Sequence, residues 1–327
     1  MKIAIGFITY NADTAKYLPY FLDSLFKALE EWPRGDFLVL ARDNSEEPDN
    51  YNREYIDDVF NKEEKLIDLR WSGGNLGFAK SYNMMISEAR DWGAEAFFVI
   101  NPDTIIAPDA LKKLSAVLDA DSLLGSVAPK VLRWDFANKK FTTKIDTCGL
   151  SLHPGLVFTD IGQGLEDAGQ FHNFPILGPS GAAGLYRLIA LEKIHEKTGY
   201  FDERMFMYKE DCDLAYRLFL AGFSSKLVPE AIIYHDRTVS AVGEGFRASL
   251  NNRLNKSRQV RSWSFLNQHL LVIKFWSKQD LSGKFKIFIR LLLMGGFALF
   301  REPFLLKNYS KIRSFLNDQR KGSNTID

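Results

Sequence analysis

Two acidic stretches set the chemistry open to this chain. Asn101, Pro102 and Asp103 end the apolar run AFFVI, and far downstream Glu210, Asp211 and Asp213 open the segment EDCDLAYRLFLAGF. A carboxylate at a strand end suits a divalent cation, because Mg2+ and Mn2+ take one or two carboxylates together with phosphate and water oxygens. A carboxylate at a helix start can serve as a base that accepts the proton of a hydroxyl. A cation over a diphosphate and a base over a hydroxyl are together what is needed to move a sugar from a nucleotide to an alcohol. Each stretch alone also has a plainer reading. Asn, Pro and Asp are ordinary turn residues, and acids in a first helical turn offset its unpaired N–H groups and its dipole.

Within this scheme Asp103 is the metal ligand and Asn101 a contact to ribose or diphosphate. His235 ends the later run VPEAIIYH, where an imidazole could complete the metal shell or simply be a polar strand end. Asp211 is the candidate base, with Glu210 beside it in the catalytic pair. Glu210, Asp213 and Arg217 recur at i, i+3 and i+7, so one helix face can carry an ion-paired ladder that fixes the helix while Asp211 points elsewhere. The aromatic and methionine-rich FDERMFMY leads directly into them. Two glycine-rich loops complete the set. SGGNLGFAKSYN (residues 72–83) runs from a strand into a helix and offers backbone N–H groups to a phosphate. It is neither GxGxxG nor GxxxxGK[ST], which removes dinucleotide and P-loop assignments. GPSGAAG (residues 178–184) lets a substrate, or an ordinary packing partner, approach the backbone closely.

The elements that must position these residues alternate in period. KIAIGFITY, DFLVLARDNS, KLIDLRW and AFFVINPD read as strands, separated by amphipathic helical stretches such as YLPYFLDSLFKALEEW and GFAKSYNMMISEARDWG. This is βαβ logic, predicting an α/β fold with a largely parallel sheet covered on both faces. Ligands collect at the carboxyl ends of such strands. Thr9, Tyr10 and Asn11, then Asp43, Asn44 and Ser45, then Asn101 and Asp103 are therefore expected around one crevice. Residues 125–175 break into short runs that suit hairpins or an irregular insertion. LGPSGAAGLYRLIALEKIH reads as a small-residue loop followed by a short helix, and FSSKLVPEAIIYHD as one more strand.

The 327 residues are 46% hydrophobic, enough for a globular core, and two cysteines, Cys148 and Cys212, make no disulfide framework or metal spacing. A reducing, cytoplasmic setting is expected, and MKIAIGFITYNAD reads as a first strand rather than a signal peptide. The overall charge of +1 hides an asymmetry. From Ala241 onward sixteen Lys and Arg face five Asp and Glu, so the last stretch is strongly basic. This tail, helical in pattern from about Phe246 to Ser314, carries Trp276, Phe285, Phe288, Phe297 and Phe304 among its basic residues. Its longest wholly apolar run, LLLMGGFALF, falls short of the roughly 20 residues that span a bilayer. It reads as an amphipathic region lying on an anionic membrane surface, the alternative being a packed helical hairpin or homodimer interface. The division expected is 1–240 for a catalytic domain and 241–327 for the helical region.

The order of motifs, ITYN, DNS, GGNLGFAKSYN, NPD, GPSGAAGLYR, GYFDERMFMYKEDCDLAYRLFLAGF and YHD, resembles family-2 glycosyltransferases of the GT-A fold, especially a bacterial rhamnosyltransferase-like branch. The resemblance covers about residues 1–240. It implies an inverting transferase that uses a nucleoside-diphosphate sugar and a divalent cation, Mg2+ or Mn2+. Carried over by residue, it places Thr9, Tyr10 and Asn11 around the nucleoside and has Asp43, followed by Asn44, bond the base. Asn75, Gly77 and Asn83 join the nucleotide and donor pocket. Asp103 matches the second acid of the family's D-x-D element, with Asn101 where the first would stand. Asp211 matches the general base, and His235 a later histidine ligand followed here by Asp236, where relatives often have another histidine. The donor implied first is dTDP-L-rhamnose, with UDP-hexose as the alternative. The acceptor implied is a lipid-linked or oligosaccharide chain of O-antigen, capsule or cell-wall polysaccharide, at the inner face of the cell membrane. No nucleic-acid partner is expected. Two other classes compete. A sugar nucleotidyltransferase needs a basic glycine-rich loop near the N-terminus, which ITYNADTAKYLPY lacks, and a non-catalytic carbohydrate- or lipid-binding protein has no need of Asp103, Asp211 and His235 together.

Overall fold

The computed structural model describes residues 1–237 and 256–323. The 240/241 boundary and the start of the helical tail at Phe246 lie outside the described residues. The described chain divides into two compact units, residues 1–151, 160–206 and 210–237 in the first, and 152–159, 207–209 and 256–323 in the second.

The first unit is built on one nine-stranded sheet. Its strands are β1 (Ile3–Thr9), β2 (Phe37–Asp43), β3 (Ile67–Trp71), β4 (Ala96–Ile100), β5 (Thr104–Ile106), β6 (Leu124–Asp135) and β7 (Lys140–Thr147). A short pair, β8 (Leu150–His153) and β9 (Val157–Asp160), stands apart, and β10 (Ala183–Arg187) and β11 (Ser224–His235) return to the main sheet. The order is β3-β2-β1-β4-β10-β6-β11-β5, with β7 on β6. The first four strands in that order are parallel. β11 is parallel to β6, whereas β10 runs antiparallel between β4 and β6 and β5 antiparallel on β11. β10 corrects the sequence reading, because AGLYR looked like the end of a small-residue loop. Its glycine is a packing requirement: a Cβ on Gly184 would sit 2.5 Å from the Pro179 ring.

Alternation along β1 decides which helices cover which face. Ile3, Ile5 and Phe7 enter a core with α2 (Leu18–Leu29) and α5 (Ala110–Ala120). Ala4, one residue out of phase, belongs to a second core with α4 (Gly77–Trp92), α6 (Leu188–Lys193) and α7 (Glu210–Leu220). The period-2 pattern thus fixes register and face together. Short α1 (Asn11–Ala15) and α3 (Tyr51–Tyr55) lie in the connections around the first two strand ends.

The helix that carries the second acidic stretch is pinned by its own buried ion pair. Arg217 Nε donates to Asp213 Oδ2 at 2.7 Å, and the guanidinium also donates to the carbonyls of Ile194 and Tyr200. Both side chains are almost fully buried. In the second unit, α8 (Arg258–Phe275), α9 (Leu281–Phe300) and α10 (Tyr309–Ser323) share a core that includes Phe265, Leu266, Ala298, Leu305 and Ile312. No helix of the described residues is long and apolar enough to cross a membrane.

Removing one partner of a buried ion pair costs far more than removing both. Arg217→Met takes the ion-pair partner from Asp213 and the donor from two carbonyls, so urea unfolding should show a loss of about 3–5 kcal/mol, against a much smaller loss for the Asp213→Asn/Arg217→Met double variant.

Candidate active site

The first two strand ends meet as the sequence suggests. Thr9 lies opposite Asp43 in the β1–β2 register, and the Asn44 N–H donates to the Thr9 carbonyl at 2.8 Å. Asp43 itself is fully buried. Its Oδ1 accepts from Thr9 Oγ1 (2.9 Å), the Ser45 N–H (3.2 Å) and Ser45 Oγ (2.6 Å), and its Oδ2 accepts from Asn50 Nδ2 (2.6 Å). With both oxygens engaged and none exposed, the carboxylate is the hub that folds the ITYN and DNS turns against each other. Asn44 is the second staple: Nδ2 donates to the Gly77 carbonyl at 3.2 Å, and Oδ1 accepts from Ser81 Oγ at 2.9 Å. What these staples present is the rim, comprising half-exposed Tyr10 and Asn11 and the exposed Asn75. Asn11 adopts a left-handed φ of 43° and is held there by Ser45 Oγ and Asn52 Nδ2.

Gly77 has no substitute at the loop-to-helix junction. Its φ is +77°, and a Cβ there would lie 2.4 Å from the Phe206 carbonyl oxygen, which already accepts from the Phe78 N–H. The glycine therefore brings the GGNLG loop against the chain leading to α7. Asn83 is engaged within the protein in the same way. It is buried, accepts from the Phe201 N–H (2.8 Å), and donates to the Phe201 carbonyl (2.8 Å) and Glu203 Oε1 (3.0 Å). Its amide clamps the FDER segment to α4.

Asp103 and His235 come together although 132 positions part them in sequence. His235 pairs with Thr104 across β5 and β11, the Asp236 N–H donates to the Asp103 carbonyl at 2.9 Å, and His235 Nε2 lies 3.3 Å from Asp103 Oδ1. The other ring nitrogen, Nδ1, is 2.8 Å from Asp146 Oδ2 on β7. Asp146 in turn accepts from Arg237 at 3.0 Å, and Arg237 reaches Asp160 at 3.6 Å. A chain of alternating charge, buried at His235 and Asp146 and half-buried elsewhere, thus runs Asp103, His235, Asp146, Arg237, Asp160. Burial alone would push the His235 imidazole down, but Asp103 and Asp146 outweigh it and hold the ring up at about 10. Burial likewise would raise Asp146, and His235 with Arg237 instead draws it down to about 2. Asp236, beside this chain, accepts from the Tyr17 hydroxyl at 2.6 Å; burial and that bond push the phenol well above its usual range. Asp146, Arg237, Asp160 and Tyr17 did not emerge from the sequence. An acid near the end of a strand-like run, and an arginine two residues after the histidine, were the available signals.

The residues at Asp103 fit a divalent cation. Cis ligands of an octahedral ion with bonds of about 2.1 Å stand about 3 Å apart, close to the 3.3 Å between Asp103 Oδ1 and His235 Nε2. Asp103 Oδ1 is buried and accepts no hydrogen bond. Among the described residues no group of three or more His, Cys, Asp or Glu converges as a closed cage.

Asp211 is held by different means. Its Oδ2 accepts from the Gly181 N–H at 2.9 Å and its Oδ1 from the Cys212 N–H at 2.8 Å, so the GPSGAAG loop and the start of α7 fix the carboxylate between two backbone donors. It is half-exposed, while Glu210 beside it is buried. Tyr208 and Lys209, immediately before the helix, both take left-handed φ values, 73° and 71°. For residues with side chains that is a strained entry of the kind concentrated at functional sites.

The profile of the family described as glycosyl transferase family 2 matches residues 5–158, which hold the ITYN, DNS, GGNLG and NPD motifs. This stretch belongs to glycosyl transferase family 2. A curated relative, the low-salt glycan biosynthesis hexosyltransferase Agl10 of Haloferax volcanii, is 28% identical over 149 residues, which are 45% of this chain. The chain spans 44% of that relative's length. Among solved structures, the mannosyltransferase PcManGT of Pyrobaculum calidifontis, in complex with GDP-Man and Mn2+, superposes with a TM-score of 0.52 at 15% identity, over 95% of this chain and 73% of its own. GalNAc-T7 with UDP, GalNAc and Mn2+ gives 0.55 at 10% identity, over 86% and 52%. The family-2 domain therefore has the GT-A fold read from its motifs.

The depressed Asp146 carboxyl gives a pH test with a definite sign. Its contribution is fully present above the unfolded value near 3.9 and lost as pH falls toward about 2. Urea unfolding of the wild type between pH 4 and pH 2 should lose about 2 kcal/mol more than unfolding of Asp146→Asn over the same interval.

Proposed function

We propose that this protein is an inverting glycosyltransferase that moves a hexose from a nucleoside-diphosphate donor to a hydroxyl of a lipid-linked saccharide. The observation that carries the reading is the separation of two carboxylates by environment. Asp103 is paired with His235 at a strand end, where a diphosphate and a cation belong, and Asp211 is fixed by neutral backbone donors with room to accept a proton. The nucleoside lies along the rim formed by Tyr10, Asn11 and Asn75, which Thr9, Asp43 and Asn44 hold in shape. Asn101 and the GGNLG backbone meet the ribose and diphosphate. Asp103 and His235 hold Mg2+ or Mn2+, which when bound offsets the charge that grows on the departing diphosphate. Asp211 takes the proton of the acceptor hydroxyl as its oxygen bonds to the anomeric carbon and the bond to the diphosphate oxygen breaks. A single displacement inverts that carbon. Glu210, Asp213 and Arg217 keep the helix beneath Asp211 in place.

The Mn2+ in the PcManGT and GalNAc-T7 structures supports the cation, and the hexosyltransferase relative supports a hexose donor. The motif order points first to dTDP-L-rhamnose, with UDP-hexose next, and to a place in O-antigen, capsule or cell-wall polysaccharide assembly. The acceptor then sits at the inner face of the cell membrane. Screening nucleotide sugars for release of nucleoside diphosphate identifies the donor; no release with any of them would leave the non-catalytic binding protein as the better account.

With the donor in hand, Asp211→Asn should lower transfer by about 10²–10⁴-fold, while calorimetry shows nucleoside-diphosphate affinity unchanged. Full activity in that variant would remove Asp211 from the reaction. Asp103→Asn should instead weaken Mn2+ binding in the presence of the nucleotide.

A further inference from the structure

α9 is apolar on two opposite faces. Gly283, Ile287 and Ala298 are buried in the second unit, and Arg290 turns inward to donate to the carbonyls of Leu156 (2.9 Å) and Gly155 (3.4 Å). At about 100° per residue, Leu281, Phe285, Phe288 and Leu292 form a stripe roughly opposite that buried side, with Leu293 and Phe300 at its margin. All six are exposed, Leu281 by 85% and Phe300 by 81%. Lys284 and Lys286 fall about 100° to either side of the centre of the exposed patch. No Asp or Glu occurs between Leu281 and Phe300. Of the aromatic residues expected at a surface, Phe285, Phe288 and Trp276 are exposed, whereas Phe297 and Phe304 are half-buried.

We infer that this outward stripe of α9 docks on an anionic lipid surface, lying in the interface with Lys284 and Lys286 reaching up from its two edges to the headgroups. Long basic side chains flanking an apolar strip place their stems beside the acyl region and their charges among phosphates. The helix is not apolar enough to cross. A second copy of the chain is the poorer occupant, because pairing two such stripes would gather four lysines along a seam to which the helix brings no carboxylate. The purpose of the docking, though not its chemistry, rests on the proposed lipid-linked acceptor.

The test is co-sedimentation of the full-length protein with phosphatidylcholine vesicles, with and without phosphatidylglycerol. Partition should rise with the anionic lipid and fall with added salt. Phe288→Glu/Leu292→Glu should lower it at least about tenfold, and Lys284→Gln/Lys286→Gln should lower it about tenfold on anionic vesicles alone. Undiminished partition of Phe288→Glu/Leu292→Glu overturns the docking face. So does a wild-type dimer, seen by light scattering, that the same variant splits into monomers. Transfer to a soluble acceptor should be unchanged in the Glu variant. Lost partition with retained transfer is the expected result, while retained wild-type partition without any transfer faults the proposed reaction and leaves the docking standing.

Discussion

The pairing of His235 with two carboxylates is the constraint on which the catalytic half of the structure hangs. A histidine buried in a sheet costs stability in its charged form unless opposite charges meet it. Asp103 and Asp146 meet this one on both ring nitrogens. That arrangement requires β5 to lie antiparallel on β11 in the register that sets Thr104 against His235, and β7 to bring Asp146 from the far side of β6. It also requires Arg237, two residues on, to cover the remaining oxygen of Asp146. The sheet order in the second half of the domain is thus tied to one imidazole. A histidine whose Nδ1 is held by a carboxylate presents Nε2 in one direction, the usual way a protein orients a metal-binding ring.

Asp103 and Asp211, the two carboxylates of the proposed reaction, lie in different environments. Asp103 belongs to an ionic chain and has an oxygen free of hydrogen bonds. Asp211 belongs to a neutral cradle of two backbone N–H groups, one from Gly181 in the GPSGAAG loop and one from Cys212 at the start of α7. Glycines recur wherever two motif loops touch. Gly77 closes the GGNLG loop on Phe206, and a Cβ on Gly199 would strike the Asn83 amide at 2.0 Å, so the Asn83 clamp exists only because position 199 is glycine. Small residues and buried amides do the positioning, and the acids are left to act.

Much of this was legible in the chain. The β1–β4 strands and the α2 and α4 helices follow from period alone, and the turn residues at 9–11, 43–45 and 101–103 mark the strand ends. The ladder of Asp213 and Arg217 follows from helical spacing. What the sequence hid was long-range. Asp146 and His235 stand 89 positions apart and pair only through the β6–β7 hairpin and the β6–β11 ladder. β10 was hidden because its alanine and glycine, chosen for close packing, carry a loop's composition. Asp43 and Asn83 stood out in the motifs, but the hydrogen bonds that engage them did not. Whether a polar side chain points to a ligand or into the protein depends on partners such as Asn50 and Phe201 that motif spacing does not specify.

The central claim is that the diphosphate-side cation sits between Asp103 and His235, apart from Asp211. Anomalous diffraction at the manganese edge, from crystals grown with Mn2+ and a nucleoside diphosphate, tests it most directly. The account predicts one peak bonded to Asp103 Oδ1, His235 Nε2 and phosphate oxygens, with Asp211 outside its coordination shell. A peak bonded to Asp211, or a bound diphosphate with Mn2+ held away from both Asp103 and His235, would contradict it.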